Sequence, residues 1–154
     1  MGLQAATVRV RGVVTVEHRN AAGKLIRKET VKNTVLNGGL EWLKGQFGDS
    51  GTDRAKYIGL SSGVGAPAAG DSDLGATVYT AFGLERAAGT YASGATGVCT
   101  FVKVFTNDTA QHTVASTGLY YKASGAGMFS GVAITSATLE VGDTLTITWT
   151  VTFS

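Results

Sequence analysis

The chain has 154 residues, of which 44% are apolar, enough for a single domain with a real core. Charged residues make up 16%, against roughly 25% in an average soluble protein, and Gly, Thr, Ser and Ala fill the difference. This composition argues against a helical bundle and for a β-rich, turn-rich chain. The single cysteine, Cys99, excludes an intrachain disulfide and a cysteine-based metal cluster.

Charge is uneven along the chain. Residues 1–56 carry ten Lys/Arg and five Asp/Glu, whereas residues 57–154 carry three and six. Such asymmetry marks surfaces with different partners. No apolar run reaches the ~18 residues of a membrane helix. The opening MGLQAATVRV has no charged leader followed by an apolar stretch, so no secretion signal is expected.

In chain order, Val8, Val10, Val14 and Val16 alternate with Arg9, Arg11 and Glu17, the period of a half-buried strand. NAAGK (20–24) supplies turn residues and LIRKETV (25–31) a return strand. Residues 1–32 are therefore read as a basic β-hairpin arm and residues 33–154 as the main domain. Asn33 is a candidate helix cap. Val35, Leu36, Leu40, Leu43 and Phe47 recur at near-helical spacing with Trp42 on the flank, predicting a helix over 37–47.

Beyond residue 56 the pattern is strand and loop. KYIGL (56–60), ATVYTAF (76–82), GVCTFVKVFTND (97–108), HTVASTGLYYKA (112–123), GMFSGVAI (127–134) and DTLTITWTVTF (143–153) each read as strands. In the last, Leu145, Ile147, Trp149, Val151 and Phe153 share one face and five threonines the other. The expected fold is mainly β: an antiparallel, jelly-roll-like β-sandwich with an N-terminal hairpin and one short helix.

No motif asks for catalysis or a cofactor. The Gly/Ala loop YIGLSSGVGAPAAGDSDLG (57–75) lacks the Lys of a phosphate-binding P-loop and the third Gly of a dinucleotide fingerprint. It then meets Asp71 and Asp73, which repel phosphate. Those two acids have a spacing that could hold a hard cation, but a loop acid pair or cap is the simpler reading. Cys99 and His112 could form a nucleophile pair on neighbouring strands, although the apolar flanks of Cys99 disfavour a thiolate. His18 and His112 stand far apart in sequence and near no acid pattern. No catalytic, cofactor or metal residue is assigned, and the chain is not expected to be an enzyme. The candidate partner-binding residues are Arg9, Arg11, Arg19, Lys24, Arg27 and Lys28. Without interleaved aromatics the hairpin does not suit single-stranded nucleic acid; a solvated or partner-facing ribbon is the simpler reading, with an acidic protein surface or nucleic acid as the alternatives.

Several phrases, taken in order, resemble small virion proteins of tailed phages. KETVKNTVLNGGLEWLKGQFG, YIGLSSGVGAPAAGDSDL, GLERAAGTY, ASTGLYYKASGAGMFSGVAI and VGDTLTITWTVTF run in the same order as segments of those families, over residues 29–153. The resemblance implies a structural part of a phage particle made in the host cytoplasm. Its first form is a capsid decoration (cement) protein that binds the major capsid protein, as a homo-oligomer with a trimer favoured and no membrane or cofactor. A tail fibre, neck or collar component is the alternative. Thr117 departs from the family pattern, which often has Glu before Gly-Leu. From another class, a carbohydrate- or host-surface-binding sandwich could stack sugars on Tyr57, Tyr79, Tyr91, Tyr120, Tyr121, Trp42 or Trp149, the two tryptophans being periodic core positions.

Overall fold

A computed structural model describes residues 9–48 and 54–154. Ten strands and one helix follow in order: β1 (Val10–Arg19), β2 (Leu25–Lys32), β3 (Thr34–Val35), α1 (Asn37–Gly48), β4 (Tyr57–Ser61), β5 (Ala87–Ala88), β6 (Thr90–Ser93), β7 (Val98–Thr106), β8 (His112–Tyr120), β9 (Met128–Leu139) and β10 (Thr144–Phe153). They form two five-stranded antiparallel sheets, ordered β2-β1-β10-β7-β6 (sheet A) and β3-β9-β8-β4-β5 (sheet B). The expected β-sandwich is the fold.

The alternation in β10 does what its sequence dictates. Leu145, Ile147, Trp149 and Val151 are buried against sheet B, while the intervening threonines face outward. Val14 and Val16 of β1 join the same core. Here the expected division at residue 32 fails. β1 is hydrogen-bonded to β10 along its whole length, from Val10↔Phe153 to Arg19↔Thr144, so the hairpin belongs to sheet A and is not an arm. Its apolar face could be buried only by pairing with the sandwich.

The sides of the sandwich are closed by strands that change sheets. Asn33 N donates to Gly12 O at 3.2 Å in sheet A, and the next residue, Thr34, pairs with Gly131 in sheet B. Asn33 is thus a crossing point and not the helix cap expected of it. Its side chain donates to Ser130 Oγ and occupies the space that a Cβ on Gly12 would fill. On the opposite side Gly89 joins β5 of sheet B to β6 of sheet A, and its N donates to Lys56 O at 2.7 Å. Such switches make the corners of sandwiches.

The helix appears as predicted, one residue longer, but with a different face inward. Leu40 is exposed. The closest approach to β9 is Gly39, where a Cβ would lie 2.2 Å from Phe129 O. Trp42 stacks on Tyr121 and meets Phe129 edge-on. The Phe47 side chain lies outside what the structure describes. The strand expected over 76–82 is absent apart from one bridge, Ser61↔Val78.

Candidate functional site

The outer faces of the two sheets differ in what covers them. On sheet B, Gly59, Gly118 and Gly131 stand in register across β4, β8 and β9. The Tyr120 ring lies over this glycine row: a Cβ at Gly118 would sit 2.8 Å from Tyr120 Cε2, and one at Gly59 would sit 2.9 Å from the same atom. Leu36, Tyr120 and Met128 form a second small core here, flanked by Tyr57 and Leu74. The segment between β4 and β5 runs over it as a strap, with Pro67 against Gly131.

The strap is pinned by polar contacts that the sequence left open. Asp73 accepts from Tyr120 Oη at 2.7 Å and from Arg86 Nη2 at 3.2 Å, while the Arg86 guanidinium lies 3.4 Å from the centre of the Tyr120 ring. Arg86 also donates to Gly125 O at 2.8 Å. Asp71 accepts from Ala68 N at 2.8 Å, turning the loop. Burial, and then the neighbouring Asp73 carboxylate, push the Tyr120 phenol far above its ordinary range, so it stays a donor. The Gly/Ala loop is therefore a structural strap, and its two acids serve a turn and a clasp. Among the described residues no group of three His, Cys, Asp or Glu gathers as a metal site would require.

Sheet A presents the opposite picture. One row across its outer face reads Thr30, Thr15, Thr148, Val102 and Thr90; the next reads Lys28, Glu17, Thr146 and Val104. Arg11 and Lys32 lie at one end of the β1/β2 half, and Arg19 at the other. Toward β7 the face becomes hydroxylic and apolar, with Val104 half exposed. Four strands about 4.8 Å apart and some 30 Å long, with the short β6 at the edge, give a face on the order of 600 Å², approaching the ~800 Å² that one partner gives to a standard interface. Glu17 is the one acid among these rows, and Lys28 pairs with it at 3.1 Å.

The candidate partner-binding residues divide accordingly. Arg9, Arg11, Arg19 and Lys28 stand on or beside this outer face by the alternation of β1 and β2. Lys24 is exposed in the hairpin turn. Arg27 is not available in the same way. Its guanidinium reaches across to the backbone oxygens of Thr135 and Ser136 on β9, and Glu29 beside it accepts from Thr135 N at 2.9 Å. Both residues seal one side of the sandwich.

The other singled-out residues are separated or engaged. Cys99 lies on β7 in sheet A and His112 on β8 in sheet B, so the two do not share neighbouring strands. Burial pushes the Cys99 thiol up. His112 stacks on Phe82 with ring centres 4.5 Å apart. Sequence reasoning missed the partner of His18: its Nε2 lies 2.9 Å from Asp143 Oδ2, both side chains being buried. The two are 125 positions apart, and only the β1–β10 pairing brings them together. It also missed Asn107, whose buried amide donates to the oxygens of Ala110, Leu139 and Glu140 and ties two turns together. No described helix is long and apolar enough to cross a membrane.

No protein family, curated protein or solved structure matches this chain.

Proposed function

We propose that this protein is a structural component of a tailed-phage particle, a decoration protein that attaches to the major capsid protein through the outer face of sheet A. The observation that carries the reading is the contrast between the faces: the described residues cover sheet B with a strap and leave sheet A bare, hydroxylic and rimmed with cations. A face of that size with a cationic half suits an acidic protein surface, since complementary charge speeds and orients docking. The ordered phrases over residues 29–153 supply the particle context. In this reading the protein adds area and cross-links to the shell, as a closed homo-oligomer with a trimer favoured.

The test is the copy number of this chain in purified particles, measured by quantitative mass spectrometry against the major capsid protein. About one copy per capsid subunit supports decoration. A handful per particle moves the protein to the tail, neck or collar, and absence from particles overturns the proposal.

A further inference from the structure

A second surface, sharing no residue with the outer face of sheet A, has the chemistry of a small-ligand site. Lys56 N donates to Tyr120 O at 3.0 Å, which sets the entry to β4 beside the exit from β8. Between them opens a cleft of about 570 Å³ lined by Arg54, Lys56, Tyr57, Tyr121, Lys122 and Ser124. Ligand clefts commonly have about this volume. Its three charged side chains are all cations. Among the described residues none of them makes an ion pair.

The aromatic groups in the cleft are held in place. Lys56 Nζ stands 5.3 Å from the centre of the Tyr57 ring, and Tyr121 is stacked on Trp42 at 6.0 Å and 13°. The borders of the cleft narrow the choice of ligand. Past Ser124, the adjoining hollow presents Glu85 beside the Asp73–Arg86 ion pair. Past Arg54 and Lys56, a cavity of about 490 Å³ is walled by Trp42, Tyr91, Phe101 and Phe129. Three cations thus sit between an acidic border and an aromatic one.

We infer that this cleft binds an acidic saccharide. A carboxylate or sulfate would meet Lys56, Lys122 and Arg54 in charge-assisted hydrogen bonds. The sugar hydroxyls have the hydroxyls of Tyr57, Tyr121 and Ser124 within the same lining, and the apolar ring face has the aromatic wall. A polynucleotide is the poorer fit, because its succeeding phosphates would run toward Glu85, where the one nearby cation, Arg86, is already paired with Asp73. The inference does not depend on the particle reading, since the cleft shares no residue with the outer face of sheet A.

Titration calorimetry of the full chain at low salt tests it, with trigalacturonate and a heparin-derived tetrasaccharide as the carboxylated and sulfated probes. Cellotriose serves as the neutral control and octathymidylate as the nucleic-acid control. Saturable binding of at least one acidic probe, weakening as salt rises, with none of cellotriose, is expected. Lys122→Glu should weaken that binding roughly tenfold or more, while Thr138→Glu, an exposed position at the far end of β9, should leave it unchanged. Lys56→Gln repeats the test should Lys122→Glu not fold. Failure of both acidic probes to bind, binding indifferent to the loss of Lys122 and Lys56, or tighter binding of octathymidylate would each overturn the inference.

Discussion

The outer faces of sheets A and B each lie on five strands and have opposite content. Sheet B carries glycines where a face would carry side chains, and fills the space with Tyr120, Met128, Leu36 and a strap of its own chain. Every residue of β8 from Val114 to Tyr120 is buried as a result. Sheet A carries threonines, valines and cations at the corresponding positions, and no described segment runs over it as a strap. The difference teaches where the fold invests its stability and where it keeps surface for something else. Substitutions on sheet B should act on folding, and substitutions on sheet A on attachment.

The strongest way to break that comparison is Tyr120→Ala. It removes a fully buried ring that lies on two glycines and clasps the strap, and should cost about 3–5 kcal/mol. Urea denaturation would read the loss, and a change below 1 kcal/mol would mean that the strap does not cover sheet B in solution. Gly118→Ala comes next, because its Cβ would lie 2.7 Å from Met128 Sδ and 2.8 Å from the Tyr120 ring. A cost of about 1–3 kcal/mol is expected, with Met128 yielding more readily than the ring.

Asp143→Asn probes the joint between β1 and the turn before β10. Burial alone would raise the Asp143 carboxyl, but the hydrogen bond with His18 and the amide of Glu140 outweigh it and hold the carboxyl below its ordinary range. A depressed carboxyl stabilises the fold above its unfolded value, near pH 4, and that contribution disappears as pH falls through the lower folded value. The wild type should therefore lose stability on acidification below about pH 4 more steeply than Asp143→Asn. At neutral pH the variant should be less stable by about 1–3 kcal/mol. Equal acid limbs in thermal unfolding curves would remove Asp143 from this role.

The smallest effect on stability is expected on sheet A. Thr148→Ala should change it by no more than about 0.5 kcal/mol. Thr148→Arg, in the middle of the bare face, should leave the melting temperature nearly unchanged but abolish attachment to particles in a co-sedimentation assay. Attachment by Thr148→Arg equal to the wild type would separate sheet A from the docking surface.

Much of this architecture is legible along the chain, because period-two alternation is a property of one strand at a time. β10, β1 and β2 announce themselves in that way, and α1 follows from its spacing. Other features arise only across strands. The glycine row has meaning because Gly59, Gly118 and Gly131 meet in register, and no single segment carries that signal. β3, β5 and β6 span two to four residues, too short for a period to show. Residues 76–82 have the apolar content of a strand but spend it on anchoring: Tyr79 Oη donates to Thr113 O at 2.7 Å and holds the strap end against β8. The helix face was misassigned because Gly39, lacking a side chain, is the contact, and hydropathy counts only side chains. For the outer face of sheet A, the basic hairpin is visible in the composition, whereas the diversion of Arg27 to β9 is not.

The place of β10 between β1 and β7 has a consequence for how the protein comes into being. Sheet A joins segments far apart in sequence, so that Arg11 hydrogen-bonds Ser154 across 143 positions. During synthesis the β1–β2 hairpin emerges early, with Val14 and Val16 exposed and one ladder edge open, and has to wait for the strand that completes it. Pairings this distant close slowly, since long loops must lose their freedom first. Until β10 leaves the ribosome the unfinished edge is open to pairing with another nascent chain, and crowding of translating copies is the moment at which this protein is most exposed to misassembly.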